Sequence, residues 1–165
     1  MAATVNIVTH HGATGATQSN VNGGTTRFKV ADNATVDTNN PIPIPAAGTN
    51  YSYIKQLRLN VTVAPSSGIS NLKFYTDGAN GWTGVTINAK TSASYTNPAT
   101  QGTSALAGTA DAFTYTSGSA LAISGSIGAT TGFVGDYVQL QMAVGTSASP
   151  GLLSSETLTF AYDES

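Results

Sequence analysis

One stretch limits what this chain can fold into more than any other. From Tyr51 to Val63 it reads Tyr-Ser-Tyr-Ile-Lys-Gln-Leu-Arg-Leu-Asn-Val-Thr-Val, with Leu57, Leu59, Val61 and Val63 on every second position and Arg58, Asn60 and Thr62 between them. Successive side chains of an extended chain point to opposite faces, so this alternation predicts a strand with one apolar and one solvated face. Wound as a helix, the same four apolar residues would scatter round the axis. The cluster Ala64-Pro65-Ser66-Ser67-Gly68 ends the stretch with turn chemistry.

The same grammar recurs downstream. Leu72 and Phe74 alternate with Lys73 and Tyr75; Asp77-Gly78 and Asn80-Gly81 mark a tight loop holding Trp82; Val85, Ile87 and Ala89 alternate again. Residues 90–111 are polar, punctuated by Tyr95 and Pro98, and a loop of this length in a compact domain is usually functional or interfacial. Phe113 with Tyr115, and Leu121 with Ile123, predict short strands. The second strong strand is 135–144, with Val138, Leu140, Met142 and Val144 on one face and Tyr137, Gln139 and Gln141 on the other. Leu158, Phe160 and Tyr162 define a last strand, expected to pair inside its sheet. About seven or eight strands at spacings of about ten residues, without a helical period, predict an all-β fold. Residues 51–165 are therefore read as an antiparallel two-sheet sandwich or jelly roll.

Residues 1–50 read as an extended N-terminal arm. Val5 and Ile7 suit one short strand, residues 10–24 are rich in Gly and Thr, and Phe28 and Val30 share a side. Pro41, Pro43 and Pro45 fix the backbone and remove donors, so Ile42 and Ile44 lie on an extended segment that is not a central strand. Two readings stand side by side: an extension packed on its own domain, or an arm reaching a neighbouring subunit.

Composition removes whole classes of chemistry. With no cysteine there is no disulfide framework, thiolate metal site or cysteine nucleophile. Charged residues are 8% of the chain, against roughly 25% in an average soluble domain. A formal charge of −2 with scattered basic residues leaves no footprint for nucleic acid. No segment approaches the roughly 20 apolar residues of a membrane helix, and the first residues lack a basic, then apolar, leader, so synthesis in the cytoplasm without signal-directed export is expected. Such a surface suits either a β protein solvated by hydroxyls and amides or one whose surface is taken up by contacts with copies of itself or a scaffold.

The candidates for chemistry are weak. His10 and His11 are adjacent, so an extended backbone sends them to opposite faces, and neither a metal nor a cofactor is expected. Asp77, Asn80 and Gly81 hold a single acid, which is turn chemistry and not a calcium loop. Trp82 is read as a lid on the core or an interface anchor ahead of a sugar-stacking platform. Ser124 lacks the strand, elbow and helix of a hydrolase nucleophile, and no histidine follows it. The reading is of a protein that is not an enzyme.

Three stretches together resemble a known family. They are Asn40-Pro41-Ile42-Pro43-Ile44-Pro45 running into Tyr51–Leu59, Ile69–Gly78, and the ending Gly135–Gln141, Ala148–Gly151 and Glu156–Glu164. Over residues 40–165 this is similar to virion structural proteins of tailed bacteriophages, in particular head decoration (cement) proteins. The resemblance implies a β-sandwich that sits on the outer surface of the capsid, binds the major capsid protein, bridges shell subunits and assembles as a homotrimer. Under it, Ile42 and Ile44 on the arm and Trp82 and Tyr95 on the loops are the expected capsid or subunit contacts. The alternatives are a carbohydrate-binding or adhesion module that meets surface glycans, and a tail or baseplate component.

Overall fold

Almost every alternating stretch is a strand in the computed structural model, which describes residues 2–165. One sheet, A, contains β1 (Thr4–His11), β2 (Thr17–Asn20), β3 (Thr49–Tyr51), β4 (Lys55–Val63), β6 (Val85–Ser92), β7 (Ala110–Asp111) and β10 (Gly132–Gly145). The second, B, contains β5 (Gly68–Tyr75), β8 (Leu121–Ile123), β9 (Ile127–Gly128) and β11 (Thr159–Glu164). Sheet A runs in the order β2-β1-β4-β10-β6-β7, with β3 on β10 beyond the end of β4; sheet B runs β11-β5-β8, with β9 also on β5. The pairings are antiparallel, so the chain is an all-β sandwich of two antiparallel sheets.

The core lies where the alternation put it. Leu57, Leu59 and Val61 from β4 and Val138 and Leu140 from β10 face Ile69, Leu72 and Phe74 from β5, all buried. Phe74 meets Phe160 edge to face at 5.4 Å between ring centres. Each aliphatic or aromatic side chain so buried contributes about 1.5–3 kcal/mol.

Four expectations change. Val63, at the last position of β4, is 39% exposed, because the strand runs past the core near the register shift at Thr4/Val5 of β1. Phe113 is buried but sits on a single 3-10 turn, Ala112–Thr114, because the Asp111 carboxylate accepts the Phe113 N–H and starts a turn instead of a ladder. β11 is an edge strand, not an inner one. One helical turn, α1 (Pro98–Gln101), interrupts the polar loop, capped by the Asn97 side chain.

Residues 1–50 pack on their own domain. β1 pairs along β4 from Thr4 to His10, and β2 folds back on β1. Residues 21–48 form no ladder but are pinned to the sandwich, where Tyr53 N–H donates to Lys29 O and Val21 N–H to Ile7 O, and Val30 N–H closes the segment on itself at Asn40 O. Lys29 is 1% exposed, its ammonium held by Asp37 at 3.1 Å and Thr35 O at 2.9 Å.

The chain following β8 comes close to β10 at a bulge. β10 steps from Leu59-paired Val134 to Leu57-paired Val138, a bulge around Gly135. Gly135 has φ +74, and a Cβ there would lie 2.6 Å from Leu72 Cδ1 and 2.9 Å from Ile123 Cγ2. Asp136 N–H donates to Ser124 O across the gap. Gly135→Ala is expected to cost about 2–4 kcal/mol, from the left-handed backbone and the overpacked core together. Urea unfolding measures it, and a loss under about 0.5 kcal/mol would contradict this account of the bulge.

Candidate functional site

Sheet B is shorter than sheet A, and the site follows from that mismatch. Beyond the end of β5, the inner face of sheet A continues with Val85, Met142 and Val144, which are buried under Phe28, Ile42, Trp82 and Ala148 rather than under a strand. Residues 149–158, between β10 and β11, cross this end as a strap without regular structure. The space between strap, arm and sheet is an apolar groove of about 820 Å³, walled by Phe28, Ile42, Trp82, Met142, Leu158 and Phe160 among others.

Local sequence chemistry holds the walls apart. Asn80 accepts the Trp82 N–H and donates its side-chain amide to Val85 O, which fixes the loop in front of β6. The Trp82 indole N–H donates to Ser154 O at 2.9 Å, and Gly81 N–H donates to Glu156 Oε1 at 3.0 Å, so this loop fastens the strap. The Trp82 ring packs edge to face on Phe113 at 6.1 Å. On the other side, Asn50 donates to Pro43 O, and the alternate prolines keep Ile42 and Ile44 extended along the rim. Ile42 is half-buried, while Ile44 and Leu153 are each 38% exposed and Leu152 is 70% exposed.

Three of the four contact candidates therefore meet at one place: Ile42, Ile44 and Trp82 line the groove. Tyr95 does not join them. It lies across the opposite face of sheet A, where its hydroxyl donates to Gly12 O at 2.6 Å and its ring meets Tyr137 at 5.8 Å. Burial raises its hydroxyl pKa above the ordinary value, with the Asp32 charge adding to the effect. Phe28, Leu152 and Leu153 were not singled out in the sequence. The signal for the leucines was available: an apolar pair directly after Pro150-Gly151 in an otherwise polar run.

The centre of the outer face of sheet A is dry. Gln56, Gln139 and Gln141 are each 0% exposed, roofed by the loop from 93 to 109. Gln56 exchanges two hydrogen bonds with Thr96, donating to its carbonyl at 2.7 Å and accepting from its N–H at 2.8 Å. The Gln139 amide donates to Gln56 Oε1 and to Thr96 Oγ1, each at 2.9 Å. The Gln141 amide donates to Ser52 O and Ser104 O, and its carbonyl accepts from Leu106 N–H. Nearby Lys55 is also buried, donating to Asn33 O at 2.6 Å; burial lowers its pKa to about 8 against the pull of Asp32, with Lys29 lowering it further.

Among the described residues no group of three or more His, Cys, Asp or Glu is placed to hold a metal ion, and no helix is long and apolar enough to cross a membrane. No family model, curated protein or solved structure matches the chain. What the groove offers chemically is apolar contact area bordered by backbone amides.

Replacing Gln141 by Leu keeps the bulk but leaves Leu106 N–H, Ser52 O and Ser104 O short of a partner. The expected loss is about 2–4 kcal/mol in urea unfolding, with new protease cleavage confined to residues 93–109. Unchanged stability and unchanged cleavage would show that the loop is not held this way.

Proposed function

We propose that this chain is a head decoration protein of a tailed bacteriophage. In this reading it sits on the outer capsid surface, binds the major capsid protein as a homotrimer, and stabilises the shell by bridging capsid subunits. The observation that carries the reading is the rim of the groove, where Ile44, Leu152 and Leu153 stand exposed beside an apolar cavity. Aliphatic side chains so placed gain about 25 cal/mol for each Å² of apolar surface that a partner covers. Apolar patches of this kind on a protein surface mark sites of interaction. The resemblance of residues 40–165 to decoration proteins supplies the identity of the partner, and the low charge of the chain suits a surface taken up by contacts.

A clamp of this design needs no chemistry. It adds buried area across subunit boundaries, so a shell under outward pressure must expose that area before its subunits separate. Because β1 is a strand of sheet A, the contact surface is tested by point substitution and not by removing the N-terminal segment.

Leu152→Asp with Leu153→Asp, and separately Ile44→Asp, are expected to abolish co-sedimentation with expanded heads of the cognate phage. Their melting temperatures should stay within about 2–4 °C of the unmodified chain, since these positions are exposed. Undiminished binding by both variants would overturn the assignment of this rim.

A further inference from the structure

His10 stands on the outer face of β1 with 4% of its surface exposed. Its ring is held edge-on by Phe133 at 4.9 Å and Tyr137 at 5.2 Å, both from β10. Nδ1 lies 3.0 Å from the Gly15 carbonyl, which only accepts, so Nδ1 carries the ring proton. Nε2 is then a bare lone pair, buried and without a hydrogen-bond partner. A proton arriving there finds no acceptor, and it finds a cation close by. The Arg58 guanidinium of β4 lies over the same two rings, 5.7 Å from Phe133 and 5.1 Å from Tyr137.

His10 fastens the turn between β1 and β2, and two other segments are fastened to that turn. Gly12 N–H donates to Asp32 Oδ2 at 2.7 Å, which ties in the 31–40 segment. Gly12 O accepts from the Tyr95 hydroxyl, which ties in the loop that roofs the glutamines. A Cβ on Gly15 would lie 2.8 Å from the Tyr95 ring, so turn and ring are already in close contact. Two stretches remote in sequence thus converge on the turn that the His10 ring holds.

We propose that His10 is an acid-operated latch: a proton on Nε2 loosens the β1–β2 turn and, with it, the Tyr95 end of the loop over sheet A. The titratable and charged groups around it come from every side. They are Arg58 and Lys55 on β4, Tyr137 on β10, His11 beside it, Tyr95 from the loop and Asp32 from the 31–40 segment. Asp32 is the one acid in this set, and it is turned to Gly12 N–H, with its charge bearing on His11, Lys55 and Tyr95. Burial lowers the His10 pKa most; the bond to Gly15 opposes it, and the charges of Arg58 and His11 lower it further. Burial likewise lowers His11, opposed by Asp32 and aided by Lys55.

The sign follows from proton counting. With its pKa below the ordinary 6.5, folded His10 binds fewer protons than an unfolded histidine. The latch is therefore at full strength above that value and weakens as the pH falls below it, until the folded group also takes its proton. The loss is local first, because the turn and loop rest on few apolar contacts while the core strands do not depend on His10.

An NMR titration of the full chain from pH 7.5 downwards tests this. The amide signals of Gly12 and Gly15 and the Tyr95 ring signals are expected to shift together with the His10 ring as the pH falls below the ordinary 6.5. The amides of Leu59 and Phe74 should stay in place. His10→Asn, which keeps a donor near the Nδ1 position but does not titrate, should make the Gly15 amide and the Tyr95 ring signals independent of pH below that value, with Gly12 left to report the neighbouring His11. His11→Gln should leave the wild-type response intact. Turn amides that stay still while the His10 ring titrates would overturn the proposal, as would a persistent Gly15 and Tyr95 response in His10→Asn or its loss in His11→Gln. If His10→Asn fails to fold, the wild-type titration decides alone.

Discussion

Sheet A is buried in hydrocarbon on one face and, at the centre of the other, in amide hydrogen bonds, and the rest of the structure depends on how that second layer is satisfied. A sheet flanked by apolar layers on both sides needs no specific partner. A sheet carrying buried glutamines does, because an unpaired amide removed from water costs about 1–3 kcal/mol. Gln56 and Gln141 take that partner from the backbone of the loop at Thr96, Ser104 and Leu106, while the Gln139 amide takes it from the Thr96 hydroxyl and the Gln56 side-chain carbonyl, its own carbonyl oxygen standing unpaired. The loop thereby has one placement, although α1 is its only regular element.

This arrangement fixes where apolar surface is left over. The loop covers the centre of the outer face of sheet A, and sheet B covers part of the inner face. Nothing regular covers the part where Val85, Met142 and Val144 meet the arm and the strap. The groove is thus a consequence of unequal sheet lengths rather than of a dedicated motif. Trp82 joins the two regions: its ring leans on Phe113 of the main core while its N–H holds the strap at Ser154. In the decoration reading, the arm and the strap present the aliphatic rim at Ile44, Leu152 and Leu153 to the shell.

Much of the sandwich was legible in the sequence because burial and alternation coincide there. Leu57, Leu59, Val138 and Leu140 needed only the two-residue period of a strand. The period also placed Gln139 and Gln141 on the opposite face, but it does not say what covers that face. A neutral amide serves in water and in a dry hydrogen-bonded layer alike; only the loop backbone decides, and the loop has no period to read. Phe113 was legible as buried but not as a turn, since Asp111 caps it through a local hydrogen bond that competes with the ladder. Ile42, Ile44 and Trp82 were legible as apolar residues in exposed contexts, and the fold brings them to one groove. Tyr95 followed the same reasoning to the other side of the sheet, because Gly12 and Gly15 make a turn tight enough to receive its ring.

The direct test of the buried amide layer is solvent exchange of the side-chain amide protons, followed by NMR for Gln56, Gln139 and Gln141 against the exposed Gln18. The structure predicts that the three internal amides exchange at least about tenfold more slowly than Gln18, since each must wait for the loop to open. Exchange of Gln139 and Gln141 at the rate of Gln18 would mean that the outer face of sheet A is open to water and that the loop does not form its roof.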